Sequence, residues 1–261
     1  DKSKALMATI ERASRRIVLY ELEQEAINHS GDREVPLEIY PFEGEGKREQ
    51  LIADVNKDGL LDLVATNPEN NTIVVYLQDE EDGIREGVSS PTISDVTSLT
   101  LSDLDGNGVD ELYVLSEEEG ILAYSPLSSS SLDFPIPVQI KKGYTPISVT
   151  NLEGSESEYL VVISKEKRNY LIEVIGNEGV IDKIELGSLS RGPDVMLSFD
   201  ADQDGKTDIL LLTRDKPMKM LRATEDGYEI LESTDMGQYG LVRSATGDNT
   251  STFDIDGDGH E

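Results

Sequence analysis

The chain contains no cysteine and no tryptophan, and it has only two histidines among its 261 residues. The absence of cysteine excludes disulfide bonds, thiolate metal sites and thiol catalysis. Neither His29 nor His260 lies in a recognisable catalytic motif, and no phosphate-binding loop, zinc spacing or Gly-x-Ser-x-Gly elbow occurs. The sequence therefore predicts a protein that is not an enzyme.

Long apolar runs are also missing. No segment approaches the roughly 18 to 20 apolar residues that span a bilayer, and no signal peptide begins the chain. We therefore expect no membrane insertion. Both ends of the sequence are expected to be truncated, because the last acidic loop stops at Glu261, one residue before its ninth position.

Positive charge is scarce. The chain has 23 basic against 53 acidic residues and a formal net charge of −30. Such a surface repels polyanions, so the charge argues against nucleic acid or an anionic membrane as the main partner.

The most distinctive feature of the sequence is a set of short acidic loops. Side-chain oxygens recur at positions 1, 3, 5 and 9, with glycine at position 6, which is how a short loop wraps a hard cation such as Ca²⁺. Three complete loops begin at Asp54, Asp103 and Asp200, and an incomplete fourth begins at Asp254. The predicted ligands, with position 7 included, are Asp54, Asn56, Asp58, Leu60, Asp62, Asp103, Asp105, Asn107, Val109, Glu111, Asp200, Asp202, Asp204, Lys206, Asp208, Asp254, Asp256 and Asp258.

An EF-hand is the obvious competitor, but it needs a bidentate glutamate at position 12 and a helix on each side. Position 12 is Ala65, Val114 or Leu211, each within a β-rich apolar run. The alternative of acidic hairpins without metal stays open, because Asp, Asn and Gly are favoured in turns. Carboxylates this close repel one another unless a divalent ion is present, so we expect calcium to act as a structural staple.

The loops recur with a period of about 50 residues, which is typical of repeated β units. The period predicts a further loop at 151–159, where the glycine at position 6 and the acid at position 9 are missing. We interpret this segment as a degenerate copy, with loss of metal binding favoured.

Each loop is followed by an apolar run, a polar turn and a second run, and four strands fit into each period. The sequence thus predicts an all-β fold: a β-propeller of four-stranded blades, with about five blades in an incomplete ring and residues 1–261 in one domain. Residues 4–23 align with 60–79 and predict the later strands of a blade. A helix within residues 3–27 is the alternative, because Leu6, Ile10, Ala13, Ile17 and Tyr20 also form a helical stripe. The serine-rich segment 125–131 is interpreted as a flexible outer connection.

The period, the Asp-x-Asp/Asn-x-Asp/Asn-Gly-x-x-Asp/Glu loop and the apolar strand after it resemble the FG-GAP or VCBS-type repeats of integrin α-subunit-like propellers. The resemblance implies calcium loops that join the first and second strands of each blade on one face, with ligand binding on the other. It also implies an extracellular, cell-surface or periplasmic adhesion module for a protein or glycan ligand. The Phe-Gly and Gly-Ala-Pro signatures are not recognisable, which favours a divergent microbial member.

Two further hypotheses concern the class of the protein and the charge of its ligand. One is the propeller domain of a carbohydrate-active enzyme such as a polysaccharide lyase, although no pair among 53 acidic residues stands out as catalytic. The other is a basic patch for an anionic ligand on the face away from the loops; solvated turn residues are its plainer alternative. The patch residues would be Lys141, Lys142, Tyr144, Lys165, Lys167, Arg168, Arg191, Arg214 and Lys216.

Overall fold

The computed structural model describes residues 4–11, 16–23, 37–41, 48–79, 83–128, 130–153, 158–225, 227–237, 240–245 and 250, with side chains from residue 48 onward except at Glu153. All regular structure in these ranges is β. The strands are β1 (Lys4–Glu11), β2 (Arg16–Glu23), β3 (Leu37–Pro41), β4 (Gln50–Ala53), β5 (Asp62–Asn67), β6 (Thr72–Tyr76), β7 (Gln78–Asp79), β8 (Gly83–Ile84), β9 (Val88–Pro91), β10 (Ser98–Ser102), β11 (Glu111–Ser116), β12 (Ile121–Ser128), β13 (Ser131–Leu132), β14 (Ile136–Pro137), β15 (Thr145–Glu153), β16 (Glu158–Glu166), β17 (Asn169–Gly176), β18 (Gly179–Ser188), β19 (Val195–Phe199), β20 (Asp208–Leu212), β21 (Lys219–Thr224) and β22 (Gly227–Glu232).

The strands form antiparallel sheets in chain order, one for each period of the sequence. Three of the sheets have four strands, in the orders β4-β5-β6-β9, β15-β16-β17-β18 and β19-β20-β21-β22. A fourth sheet runs β10-β11-β12, with the short β13 and β14 both paired to β12, and the first sheet is β1-β2-β3. Strands β7 and β8 form a separate two-stranded ribbon. The prediction of an all-β fold built from about five blade-like sheets is confirmed.

The beginning of the chain forms strands and not a helix. Strands β1 and β2 pair antiparallel with Ile10 opposite Ile17, and β3 pairs with the other edge of β2. When residues 4–23 are laid over 60–79, β1 and β2 coincide with β5 and β6, so this sheet corresponds to a blade without its first strand. No described segment forms a helix with the length and apolarity needed to cross a bilayer.

The chain divides into two compact units, residues 1–92 and 93–261. In the first unit, β5 is buried along its whole length, and Ile73 and Val75 of β6 are each only 1% exposed. A strand that is covered on both faces has no solvent-facing side on which polar residues would alternate with apolar ones. This explains why the apolar run after each loop lacks the alternation expected of a half-exposed strand.

In the second unit, the first strands of successive sheets lie side by side. The hydroxyl of Ser98 on β10 donates to the Val149 carbonyl on β15 at 3.4 Å, and the hydroxyl of Ser198 on β19 donates to the Asn151 carbonyl at 3.3 Å. The sheets therefore meet at these strands, as the inner strands of adjacent blades do.

Two apolar layers hold the three sheets of this unit together. One fills the space between β15–β18 and β19–β22, where Val161, Ile172 and Ile209 are each 0% exposed. The other lies between β10–β12 and β15–β18 and is built on Leu115, Leu160 and Val162. The inner strands β16 and β17 are consequently covered on both faces, whereas the outer strand β18 is largely exposed.

The degenerate segment at 151–159 differs from the loops in its strand register. In the complete loops, the residue before position 1 pairs with the acid at position 9, as Ser102 does with Glu111. In the degenerate copy, pairing extends three residues further along β15 and one residue further along β16, to Glu153 opposite Glu158. Residues 154–157, which connect the two strands in the chain, lie outside the described part.

The interpretation of residues 125–131 as a flexible outer connection is wrong for most of its length. Strand β12 continues to Ser128, and β13 begins again at Ser131. Ser125 is 1% exposed, because small side chains fit where the strand packs closely. Composition suggested a linker, whereas burial makes this segment part of a sheet.

We expect the layer between the last two sheets to dominate the stability of the second unit. Replacement of the fully buried Ile172 by alanine removes three heavy atoms and leaves a cavity, so Ile172→Ala should cost about 2–5 kcal/mol of unfolding free energy in urea titrations. Ile181→Ala in the same sheet is the matched control. Ile181 is 57% exposed, and its change should stay within about 0.5 kcal/mol. Equal losses for the two variants would contradict the assigned core.

Candidate metal centre

The three complete acidic loops each join the first strand of a sheet to the second: β4 to β5, β10 to β11 and β19 to β20. Their backbones are alike, since positions 4 and 6 both have positive φ in every loop. In the third loop these are Gln203 at 61° and Gly205 at 85°, and in the first Lys57 at 58° and Gly59 at 90°. A Cβ at Gly59 or Gly205 would meet nothing within 4 Å, so glycine is required there for its φ and not for space.

The aspartate at position 1 closes the loop by accepting hydrogen bonds from the backbone N–H groups of positions 5 and 6. Asp54 Oδ1 accepts the N–H of Asp58 at 3.0 Å, and its Oδ2 accepts the N–H of Gly59 at 2.8 Å. Asp103 and Asp200 accept the corresponding pairs of N–H groups at 2.8–3.1 Å. Three loops of different sequence thus share one hydrogen-bonding scheme.

Positions 5 and 7 make a second local contact in each loop. The side-chain oxygen at position 5 accepts the N–H of position 7, from Leu60 to Asp58 at 2.8 Å and from Lys206 to Asp204 at 2.9 Å. Val109 donates in the same way to Asn107 at 2.8 Å. The residues predicted at position 7 therefore lie in the loop turn as expected.

The acid at position 9 is the buried member of each loop. Asp62 is 1% exposed, Glu111 7% and Asp208 0%, although the rest of each loop is largely exposed. Asp62 accepts the N–H of Val55 through Oδ2 at 2.9 Å and that of Gln78 through Oδ1 at 2.8 Å. Asp208 does the same with Ala201 at 3.1 Å and Ala223 at 2.8 Å.

Burial raises the pKa of each of these carboxyl groups, because removal from water disfavours the charged form. It raises the pKa of Glu111 to about 7, and the nearby charges of Asp105 and Asp103 push the pKa further in the same direction. Burial also raises the pKa of Asp62 and of Asp208; the two backbone N–H groups bound to each oppose the rise, and acids of the same loop add to it. In each loop, several acids therefore surround a buried carboxyl group whose ionised form is already disfavoured by burial.

The third loop brings three carboxylates together. One oxygen from each of Asp200, Asp202 and Asp208 lies within 4.8 Å of the other two. Asp204 lies outside this group, with its Oδ2 3.8 Å from Lys206 Nζ. A carboxylate has more acceptor positions than its backbone hydrogen bonds use, and an all-oxygen donor set suits a hard divalent cation. The residues present therefore fit such an ion.

The other predicted ligands differ in how far the structure describes them. The first and second loops carry one asparagine each, Asn56 and Asn107, in place of one aspartate of the third loop. The fourth loop, with Asp254, Asp256 and Asp258, lies outside the described residues, and so do both histidines.

Two supporting residues of the second loop escaped the sequence analysis because they come from the adjacent sheet. Glu158 Oε2, at the start of β16, accepts the N–H of Asp103 at 2.9 Å and the Asn151 side-chain amide at 3.0 Å. Asn177, in the turn between β17 and β18, donates to the carbonyl of Asp105 at 3.3 Å. Glu158 belongs to the degenerate copy, so a segment that has no loop of its own supports the loop beside it.

Several residues of the predicted basic patch have acidic partners. Lys165 pairs with Glu117, and Arg191 pairs with Asp194. Lys141 lies 3.8 Å from Glu185 and 4.7 Å from the centre of the Tyr144 ring. These ion pairs reduce the positive field that the sequence suggested on this face.

Comparison with known proteins identifies the repeat. Residues 54–114 match the family model of the FG-GAP-like repeat, a segment that contains the first two loops and the sheet between them. No curated protein matches the sequence.

Solved structures match over most of the chain. AofleA from Arthrobotrys oligospora matches with a TM-score of 0.55 at 13% identity, over 88% of this chain and 68% of that one. The Dos1 propeller matches with a TM-score of 0.57 at 12% identity, over 90% and 56%. Hydrazine synthase of Kuenenia stuttgartiensis matches with a TM-score of 0.53 at 10% identity, over 86% and 64%. At such identities the matches show the fold alone, and the chain spans between 56% and 68% of the length of these structures.

We expect Glu158 to stabilise the second loop through its contact with Asp103. Glu158→Ala leaves the Asp103 N–H without its acceptor, at a cost of about 1–3 kcal/mol, so the hydrogen exchange of this amide should accelerate roughly tenfold or more. Glu158→Gln keeps a carbonyl acceptor and should restore most of the protection. Glu166→Ala, at the exposed end of the same strand, serves as the control. Unchanged exchange in Glu158→Ala would contradict the contact.

Glu111 should make the metal-free protein less stable as the pH rises. Its pKa is about 7 in the folded state and 4.5 without the fold, so between these values the folded state holds a proton that the unfolded state has lost. Its contribution to stability is complete below pH 4.5 and disappears as the pH passes 7. In chelator, urea titrations from pH 4.5 to 7.5 should show this loss, and Glu111→Gln should flatten the curve. Parallel curves for the two proteins would disprove the assignment.

Proposed function

We propose, from an FG-GAP-like repeat at residues 54–114 set in a β-propeller fold, that this chain is a calcium-stabilised binding module that acts outside the cytoplasm. The family model and the matched folds assign no catalytic residue to the chain. They favour a repeat scaffold whose metal loops maintain the architecture.

The observation that carries the proposal is the buried acid at the base of three alike loops. Asp62, Glu111 and Asp208 are nearly inaccessible, and each lies beside further acids whose charge raises its pKa. The backbone hydrogen bonds of Asp62 and Asp208 use only part of the acceptor capacity of each carboxylate, so oxygen lone pairs remain for a cation. A divalent cation offsets the repulsion and turns an unfavourable cluster into a cross-link between two strands.

The calcium ligands we propose are the side chains at positions 1, 3, 5 and 9 of each loop, with the backbone carbonyl at position 7. In the third loop these are Asp200, Asp202, Asp204, Lys206 and Asp208, and the converging oxygens of three of them support this set. The first and second loops would use Asp54, Asn56, Asp58, Leu60, Asp62, Asp103, Asp105, Asn107, Val109 and Glu111. The metal would supply charge neutralisation and a rigid turn.

An extracellular, cell-surface or periplasmic location fits this chemistry. Calcium sites of extracellular modules commonly have dissociation constants of about 10⁻⁴–10⁻³ M, and FG-GAP repeats are typical of extracellular proteins. A module stabilised in this way would present a protein or glycan ligand with a surface that is rigid when calcium is available.

Thermal unfolding with calcium and with chelator tests the proposal. Binding to the folded state alone should add roughly 2.7 kcal/mol per site at a hundredfold excess over the dissociation constant. Asp208→Asn removes the buried charge of the third loop and should abolish that loop's share of the calcium-dependent shift. Asp133→Asn is the control, because Asp133 is an exposed acid far from the loops in sequence.

Two results would count against the calcium staple. One is a melting curve of the unaltered chain that does not move between calcium and chelator. The other is an equal reduction of the calcium shift in Asp208→Asn and Asp133→Asn, which would indicate general screening of the net charge and not site binding.

A further inference from the structure

A cavity of about 300 Å³ opens between the last two sheets of the second unit. Its walls come from the end of β18, the connection from β18 to β19, and the turn between β20 and β21. The volume is at the lower end of the range for small-molecule sites, which is about 300–1,000 Å³. It could hold a ligand of the size of one sugar ring.

The cavity lies at the opposite end of its sheet from the third acidic loop. That loop leads into β20 at Asp208, and β20 runs from there to Leu212, just before the turn that lines the cavity. At about 3.3 Å per residue, the five residues of the strand separate the two sites by about 17 Å. A ligand in the cavity would not compete for the metal residues.

The lining of the cavity combines an apolar floor with hydroxyl groups. Leu186 and Leu211 form part of the floor, and Leu211 is only 2% exposed. Ser190 and Thr213 contribute hydroxyls at its wall. An apolar surface beside hydroxyl donors complements a sugar ring, which has a face of C–H groups and a rim of hydroxyls.

The charges around the cavity leave one cation in excess. Lys219 forms an ion pair with Glu232. Arg191 donates hydrogen bonds from Nε and Nη2 to the carboxylate of Asp194. Lys216 also lines the cavity, and among the residues that the structure describes no acid lies within ion-pair distance of its ammonium group. Although the chain carries a net charge of −30, the cavity lining thus has one cation that no described acid neutralises.

We propose that this cavity binds a hexuronic acid residue, with its carboxylate at Lys216, its hydroxyls at Ser190 and Thr213, and its ring on Leu186 and Leu211. The proposal deepens the binding role proposed above, on which it rests in part, by naming a site and a ligand class. The single excess positive charge of the cavity lining matches a ligand unit with one carboxylate.

Other anions fit this cavity less well. A phosphate group carries more charge and is usually held by several backbone N–H groups or by a bidentate arginine, whereas Arg191 is already engaged with Asp194. The strongly negative chain would repel a ligand with closely spaced charges. A single carboxylate on a compact, hydroxylated ring meets every feature of the lining.

Backbone-amide NMR of the calcium-loaded full chain, titrated with sodium D-glucuronate, tests the proposal. A ligand this small should bind with a dissociation constant on the order of 1 mM, with shifts at Thr213, Lys216 and Ser190. D-Glucose, which lacks the carboxylate, should bind at least tenfold more weakly. Acetate and an acidic tripeptide are the comparison anions and should not reproduce the shifts.

Lys216→Gln should weaken glucuronate binding at least tenfold, because it removes the one cation of the cavity lining that has no acidic partner among the described residues, at an exposed position where the fold tolerates the change. Lys142→Gln, another exposed lysine in a turn, should bind glucuronate as the unaltered chain does. Matching melting curves of the two variants would show that both are folded.

Each other outcome overturns the inference. Equal binding of glucose would remove the role of the carboxylate, binding of the tripeptide at the same residues would assign the cavity to peptide, and no shift at 20 mM glucuronate would leave it without this ligand. Failure of the calcium staple is a separate result. It would appear as a melting curve that calcium does not move, whatever the glucuronate titration shows.

Discussion

The burial of one carboxylate at the base of each acidic loop is the constraint on which the metal centre depends. Asp62, Glu111 and Asp208 are the first residues of the strands β5, β11 and β20, so each belongs to the loop and to the sheet at once. Removal from water disfavours their ionised form, and the loop above adds further negative charge. Asp62 also accepts the N–H of Gln78 at the start of β7, and Asp208 accepts the N–H of Ala223 near the end of β21. Any cation held by the loop therefore acts directly on the strand contacts of the sheet.

The degenerate copy at 151–159 shows what happens when this constraint is lost. Without the glycine at position 6 and the acid at position 9, strands β15 and β16 pair as far as Glu153 opposite Glu158, further than the strands beside a complete loop. Both faces of the inner strands of this sheet are covered by neighbouring sheets, so its place in the fold does not require a metal loop. Its Glu158 instead holds the first amide of the adjacent loop. The copy that lacks the complete acidic motif thus supports the acidic loop of its neighbour.

The two ends of a sheet differ in their electrostatics for a topological reason. Loops between first and second strands lie at one end, and turns between second and third strands lie at the other. In the last sheet the acids gather at the first end, while the turn at the other end carries Arg214 and Lys216 next to a cavity. Three of the basic residues near such turns, Lys141, Lys165 and Arg191, are paired with Glu185, Glu117 and Asp194. These pairs reduce the positive charge of the predicted patch, and the patch as a binding surface stays a prediction.

The sequence alone determined the repeat, the strand order within each sheet and the residues of the loops. Loop spacing and apolar runs are local properties, and local backbone preferences place Gly59, Gly108 and Gly205 at positions that require positive φ. Only the tertiary structure decided that position 9 is buried, that Glu158 and Asn177 support a loop 55 and 72 residues away in the chain, and that Lys216 lacks an acidic partner among the described residues. These features depend on which sheets face each other, and that follows from the packing of distant strands and not from any short pattern of residues.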